Sequence, residues 1–148
     1  MSDLPSVEAF PLVWSDDVGA LVDWAVSTLG LVEAWRAPAG EAADQTVEHA
    51  ELWWQPLGST GQNPARVSIN VKAERFADTG PAGISLRVDD PAVVDGLYQR
   101  AVEAGAEIEQ PPARSAVAYS FTVLDPDGNQ WWVNAESGML DQLRYPRS

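Results

Sequence analysis

The stretch AGISLRVDDPAVVDGLYQRAVEAGAEIEQPP, residues 82–112, decides the fold. Ile84, Leu86 and Val88 are apolar at alternate positions, the period of a strand with one face buried. The period then lengthens. Asp90 offers a carboxylate to the open N–H groups of a first helical turn, and Pro91 is preset for the first helical position. Val94, Leu97, Tyr98 and Ala101 then recur at helical spacing. Gly105 stands where a helix ends, and AEIEQ begins the next extended run. Strand, helix and strand follow one another with almost no linker.

The same plan stands earlier, in FPLVWSDDVGALVDWAVSTLGLVEAWRAP, residues 10–38. An extended apolar run turns at Ser15–Asp17, Val18, Leu21, Val22, Ala25 and Leu29 form a helical stripe, and Gly30 closes it. After each helix come strand-like runs: LVEAWRA, TVEHAELWWQPL and ARVSINVKA in the first half, AEIEQ, AYSFTVL and QWWVNA in the second. Each half reads β-α-β-β-β, an internal repeat with module one at about 8–74 and module two at about 82–135 of a single domain. APAGEAADQ, GSTGQNPA and FADTGPAG are loops or linker on their Gly, Pro and small polar content, and the tail 136–148 adds a short helix. In LDPDGNQWWV, Pro126 is preset for a type I turn and Gly128 takes the positive φ that a following bulge demands, which joins two paired strands.

Composition narrows the chemistry. Of 148 residues 22 are acidic and nine basic, a formal charge of −13, so a phosphate backbone finds few partners and nucleic acid is not expected. With 45% apolar residues the chain folds rather than forming an acidic tail. The absence of cysteine excludes disulfides, thiol nucleophiles and iron–sulfur clusters, and the single histidine, His49, excludes sites needing two imidazoles. MSDLPSVEAF has neither a basic region nor an apolar run, and no segment approaches the ~18 apolar residues of a membrane span. A cytoplasmic protein without a membrane partner is expected. The acidity is chiefly a solubility device. Seven tryptophans are unusual for this length, and tryptophan serves equally as core filler or as the wall of an aromatic-binding cleft.

A β-α-β-β-β duplication ending in DPDGN, with VDDPAVVDGLYQRAVEAGAEI ahead of it, resembles the vicinal oxygen chelate superfamily of glyoxalases, bleomycin-resistance proteins and extradiol dioxygenases. The VEHAEL run and the residues at the metal positions look closer to its metal-free, bleomycin-resistance-like or PhnB-like branches. The resemblance implies an α+β fold in which two paired βαβββ modules form a curved mixed sheet with a concave cleft. It also implies a homodimer whose clefts lie between paired modules. Metal-using members place a ligand near the start of the first strand and a carboxylate on the last strand of each module. Registered on that pattern, these positions hold Phe10, Ser68 or Asn70, Gly83 and Trp132. Phenylalanine, glycine and tryptophan supply no donor, so neither metal nor other cofactor is expected.

Strand alternation divides each strand between core and cleft. Ile84, Leu86, Val88, Trp131, Val133, Val67, Ile69, Val71, Phe121 and Val123 turn to the core. The cleft receives Gly83, Ser85 and Arg87; Gln130, Trp132 and Asn134; Ser68, Asn70 and Lys72; and Ser120, Thr122 and Leu124. If Ala50 and Leu52 are core, His49, Glu51 and Trp53 join the cleft face, with Phe10, Leu12 and Trp14 by analogy and Glu33 and Trp35 from the second strand. About half of the tryptophans, Trp24 among them, pack in the core or between subunits.

This inventory suits a flat, cationic guest, because aromatic rings stack on it or attract it at about 0.5–2 kcal/mol each while Glu33 and Glu51 add opposite charge. The leading expectation is a metal-free protein that sequesters a small aromatic, cationic molecule, as antibiotic-binding resistance proteins do. The second is a glyoxalase-like lyase, isomerase or dioxygenase using a metal or a His49/Glu51 acid–base pair. The third is a protein-interaction module that docks its partner through exposed tryptophans.

Overall fold

The computed structural model describes residues 10–38, 46–54 and 65–136. In chain order it contains β1 (Leu12–Ser15), α1 (Val18–Leu29), β2 (Val32–Pro38), β3 (Val47–Trp54), β4 (Ala65–Val71) and a short 3-10 turn (Glu74–Phe76). There follow β5 (Gly83–Val88), α2 (Pro91–Glu103), β6 (Glu107–Arg114), β7 (Ala118–Leu124) and β8 (Gln130–Glu136). The expected helix in the tail, and most of the APAGEAADQ and GSTGQNPA loops, lie outside the described residues.

Both helices form where their caps allow. Asp17 accepts a hydrogen bond from Ala20 N at 3.0 Å and Asp90 one from Ala92 N at 2.8 Å, which satisfies donors the first turns leave open. Gly30, at φ 72°, ends α1, where its N–H donates to Val26 O and that of Leu31 to Ala25 O. Arg100 of α2 then reaches across, donating through Nη2 to Val26 O at 2.9 Å and through Nε to Ser27 O at 3.1 Å. A cation thus sits against the negative end of α1 and joins the two helices.

The strands form two four-stranded mixed sheets, in the orders β1-β4-β3-β2 and β5-β8-β7-β6. In each, the first and last strands of a module pair in parallel and the others antiparallel. β6 runs past the expected AEIEQ through Pro111 and Pro112, which an edge strand tolerates because its outer N–H groups need no partner.

The core is continuous between the modules. Leu21, Val22 and Ala25 of α1 and Val94 and Ala101 of α2 are buried with Val13, Ala50, Leu52, Val67, Ile69, Leu86, Phe121, Trp131 and Val133. Trp24 of α1 lies 5.6 Å from Trp131 of β8, centroid to centroid, so a ring contact joins the helix of one module to the last strand of the other. The β7–β8 turn adds a polar tie. Ser15 Oγ donates to Asp127 Oδ2 at 2.7 Å and Asp16 N to Asp127 Oδ1 at 3.0 Å. Each sheet buries one face in this core and carries a second face with exposed Leu12, Trp35 and Trp132.

Candidate functional site

The uncovered face of the first sheet is a grid fixed by strand register. Leu12 pairs with Ser68 and Trp14 with Asn70 across β1 and β4; Asn70 pairs with His49, Ser68 with Glu51 and Arg66 with Trp53 across β4 and β3. Trp35 of β2 stands opposite Glu51 and Ala37 opposite His49. Three rows result: Arg66–Trp53–Val32, Leu12–Ser68–Glu51–Trp35, and Trp14–Asn70–His49–Ala37. Phe10, two residues before Leu12, falls beside Arg66.

Glu51 holds the middle of the grid. Trp35 Nε1 donates to Glu51 Oε2 at 3.2 Å, and His49 Nε2 lies 3.8 Å from Glu51 Oε1. The other imidazole nitrogen, Nδ1, is hydrogen-bonded to Asn70 Oδ1, so Asn70 orients the ring. Trp35 and His49 rings meet with centroids 4.9 Å apart, tilted by 46°. A half-buried carboxylate thus stands between an indole, an imidazole and an open apolar surface, since Trp35 is 46% exposed and Val32 60%.

The second sheet presents Ser85 opposite Trp132 and Arg87 opposite Asn134, and β7 adds Thr122 beside Trp132. Asn134 Nδ2 donates to Ser85 Oγ at 2.9 Å, and Trp132 is 50% exposed. Phe10, Leu12, Trp14, Trp35, His49, Glu51, Trp53 and Asn70 therefore share one face, and Ser85, Arg87, Thr122, Trp132 and Asn134 another. The two sets lie on separate sheets, β1-β4-β3-β2 and β5-β8-β7-β6. A cavity of about 70 Å³ at the end of β1, between Trp14, Lys72 and the Asp127 turn, has the volume of a few waters rather than of a drug-sized ligand.

One expected cleft residue is elsewhere. The register of β2 shifts between Glu33 and Trp35, so both cannot face the same side by simple alternation. Glu33 stands opposite buried Leu52, on the helix side, where Arg36 Nη2 donates to its Oε2 at 2.8 Å and to Asp23 of α1 at 3.3 Å. The Arg36 hydrogen bond holds the Glu33 carboxyl below its ordinary value. Trp35 alone carries the β2 contribution to the grid.

One contributor was missed. Arg66 Cζ lies 4.4 Å from the Trp53 ring centroid and 5.5 Å from that of Phe10. Carrying the alternation of Ser68 and Asn70 two residues back reaches it.

The superfamily's metal does not fit these residues. The pairs that could hold it, Leu12/Ser68, Trp14/Asn70, Gly83/Gln130 and Ser85/Trp132, each lack a histidine or carboxylate. Among the described residues no three His, Cys, Asp or Glu side chains converge, and Asn70 engages His49 Nδ1, on the far side of the ring from Glu51. No described helix is long and apolar enough to cross a membrane.

A family model described as Glyoxalase/Bleomycin resistance protein/Dioxygenase superfamily matches residues 9–133. Among solved structures, TioX from Micromonospora sp. ML1 superposes with a TM-score of 0.66 at 21% identity, over 88% of this chain and 100% of that one. Protein PA1353 from Pseudomonas aeruginosa gives 0.64 at 21% identity over 88% and 98%. A glyoxylase/bleomycin resistance protein/dioxygenase domain from Frankia sp. EAN1pec gives 0.61 at 18% identity over 91% and 100%. At these identities the likeness is one of fold. No curated protein sequence matches the chain significantly.

Proposed function

The chain belongs to the glyoxalase/bleomycin resistance protein/dioxygenase superfamily, and on that premise we propose that it captures a small, flat, cationic aromatic molecule on the tryptophan-lined face of its first sheet without a metal. The observation that carries this reading is Glu51, half-buried between Trp35 and His49 on a face that also presents Trp53, Trp14 and Leu12. A planar cation laid there gains ring contacts, each about 0.5–2 kcal/mol, together with the carboxylate. The formal charge of −13 favours the approach of cations.

Sequestration needs enclosure of the guest. A homodimer that lays the first-sheet face of one copy against the second-sheet face of the other supplies it. Exposure of Phe10, Leu12, Val32, Trp35 and Trp132 supports a covered interface. The whole is a cytoplasmic antibiotic-binding type of activity that needs no cofactor. Titration of intrinsic tryptophan fluorescence with bleomycin and with other planar cations, in the presence of a chelator, tests the reading. Quenching or a spectral shift at micromolar ligand is expected; none across such a panel contradicts it.

A specific contact favours a second reading. Asn70 on Nδ1 leaves His49 Nε2 directed toward Glu51 and the open face, the orientation of a general base whose partner carboxylate is 3.8 Å away. Turnover of a glyoxalase-like substrate that His49→Gln abolishes while ligand binding persists supports that reading against sequestration alone. A docking module for a partner protein predicts the converse, a Trp132→Ala variant that loses the partner with no small-molecule binding in either form.

A further inference from the structure

His49 is the single histidine of the chain, and it stands against both groups that a cationic guest uses on the first sheet. Its Nε2 lies 3.8 Å from Glu51 Oε1, and its ring centroid 4.9 Å from that of Trp35. Nδ1–H donates to Asn70 Oδ1, so in the neutral ring Nε2 carries no proton. Neutral His49 therefore offers Glu51 neither charge nor a donor, while Trp35 Nε1 serves the other carboxylate oxygen at 3.2 Å. A proton on Nε2 reverses this. The 3.8 Å separation is longer than a hydrogen bond but within ion-pair range, and 4.9 Å is within the range at which a cation is held by a ring.

Resting on the binding role just proposed, we propose that capture on this face is coupled to a proton: protonated His49 takes Glu51 and the Trp35 ring for itself, so that proton and guest cation compete and the guest is released as pH falls. The remaining groups around His49 hold their charge over the relevant range. Trp14 of β1 and Trp35 and Ala37 of β2 are uncharged neighbours in the grid. On β4, Arg66 and, just past the strand, Lys72 stay cationic, the latter with Nζ on Thr79 O at 2.8 Å; Asp16 lines the small cavity beside Lys72. Glu33, Arg36 and Glu48 alternate to the helix side with buried Ala50 and Leu52. Between pH 8 and 5.5 histidine is the side chain that changes charge, so the switch has one address in this chain.

Ethidium is a suitable probe, because its quaternary nitrogen keeps the planar cation charged at every pH. Its fluorescence anisotropy with the full-length protein is measured in chelator at constant ionic strength from pH 8 to 5.5. The Kd is expected to rise roughly fivefold over that range, the low end of typical coupling between two sites. His49→Gln is expected to bring the ratio of the two Kd values close to one, and His49→Lys, with a permanent charge, to bind at pH 8 as weakly as the parent at pH 5.5. Thermal unfolding at both pH values shows whether the variants fold. The parent alone decides the matter if they do not, since linkage is reciprocal: saturating ethidium is expected to lower the midpoint of the single histidine ring signal in an NMR titration by about one pH unit. Ethidium binding that changes less than twofold between pH 8 and 5.5, a pH dependence that persists in folded His49→Gln, or an unmoved histidine midpoint overturns the proton coupling and leaves capture of planar cations standing. Failure of ethidium to bind at either pH up to the high micromolar range overturns both.

Discussion

At the residue scale the informative side chains are carboxylates with opposite duties. Asp125 is buried and accepts from Asp127 N, Asn129 N, Asn129 Nδ2 and Trp131 Nε1, all within 2.9 Å. Replacing it with alanine strands several buried donors at once, so Asp125→Ala is expected to cost about 3 kcal/mol or more in urea unfolding; a loss under ~1 kcal/mol contradicts this account of the turn. Glu33 is a milder case. Its pKa is lowered by the Arg36 hydrogen bond, so the folded state gains stability above the unfolded value and loses it as pH falls through the folded one. With both side chains about one-third exposed, the gain is under ~1 kcal/mol. Glu33→Gln is therefore expected to be slightly less stable than the parent at neutral pH, with the difference closing as pH drops below the ordinary value of 4.5. A difference that persists in acid points to packing instead. Alternation puts Glu51, Trp53 and His49 on one face of the sheet because β3 is regular from His49 to Trp54. It misplaced Glu33 because a bulge breaks the two-residue period, and no residue type in VEAWRAP announces one.

At the element scale, the helices were legible to within a residue because their ends are written in local chemistry: Asp17 and Asp90 at the starts, Gly30 and Gly105 at the ends. Gly30 does double duty. Its φ of 72° disfavours any other residue, and a Cβ there would meet the Arg100 guanidinium at 3.4 Å. Gly30→Ala is expected to cost about 1–2 kcal/mol and to lower Tm by several degrees. Gly80→Ala is the matched control, having no positive φ and no atom within 4 Å of a new Cβ, and is expected to leave Tm nearly unchanged. Equal effects from the two would remove the capping argument. The far end of β6 was not legible, since Pro111 and Pro112 read as a strand terminator unless the strand is known to be an edge.

At the scale of the whole molecule, repetition of β-α-β-β-β foretold two modules, but periodicity carries no information on how they meet. That is decided by contacts distant in sequence: Trp24 on Trp131, Arg100 on the end of α1, and Asp127 on Ser15 and Asp16. Within this arrangement the tryptophans divide by role. Trp131 and Trp54 are buried with their N–H groups bonded to Asp125 and Leu29 O, whereas Trp35 is half exposed and donates to Glu51. Indole N–H signals in a two-dimensional NMR spectrum, assigned by single Trp→Phe variants, report on each tryptophan separately. On adding a planar cation such as proflavine in the presence of a chelator, the signals of Trp35 and Trp53 are predicted to shift progressively while those of Trp54 and Trp131 stay in place. Shifts confined to the buried pair, or none until a divalent metal is supplied, would contradict a metal-free binding face on the first sheet.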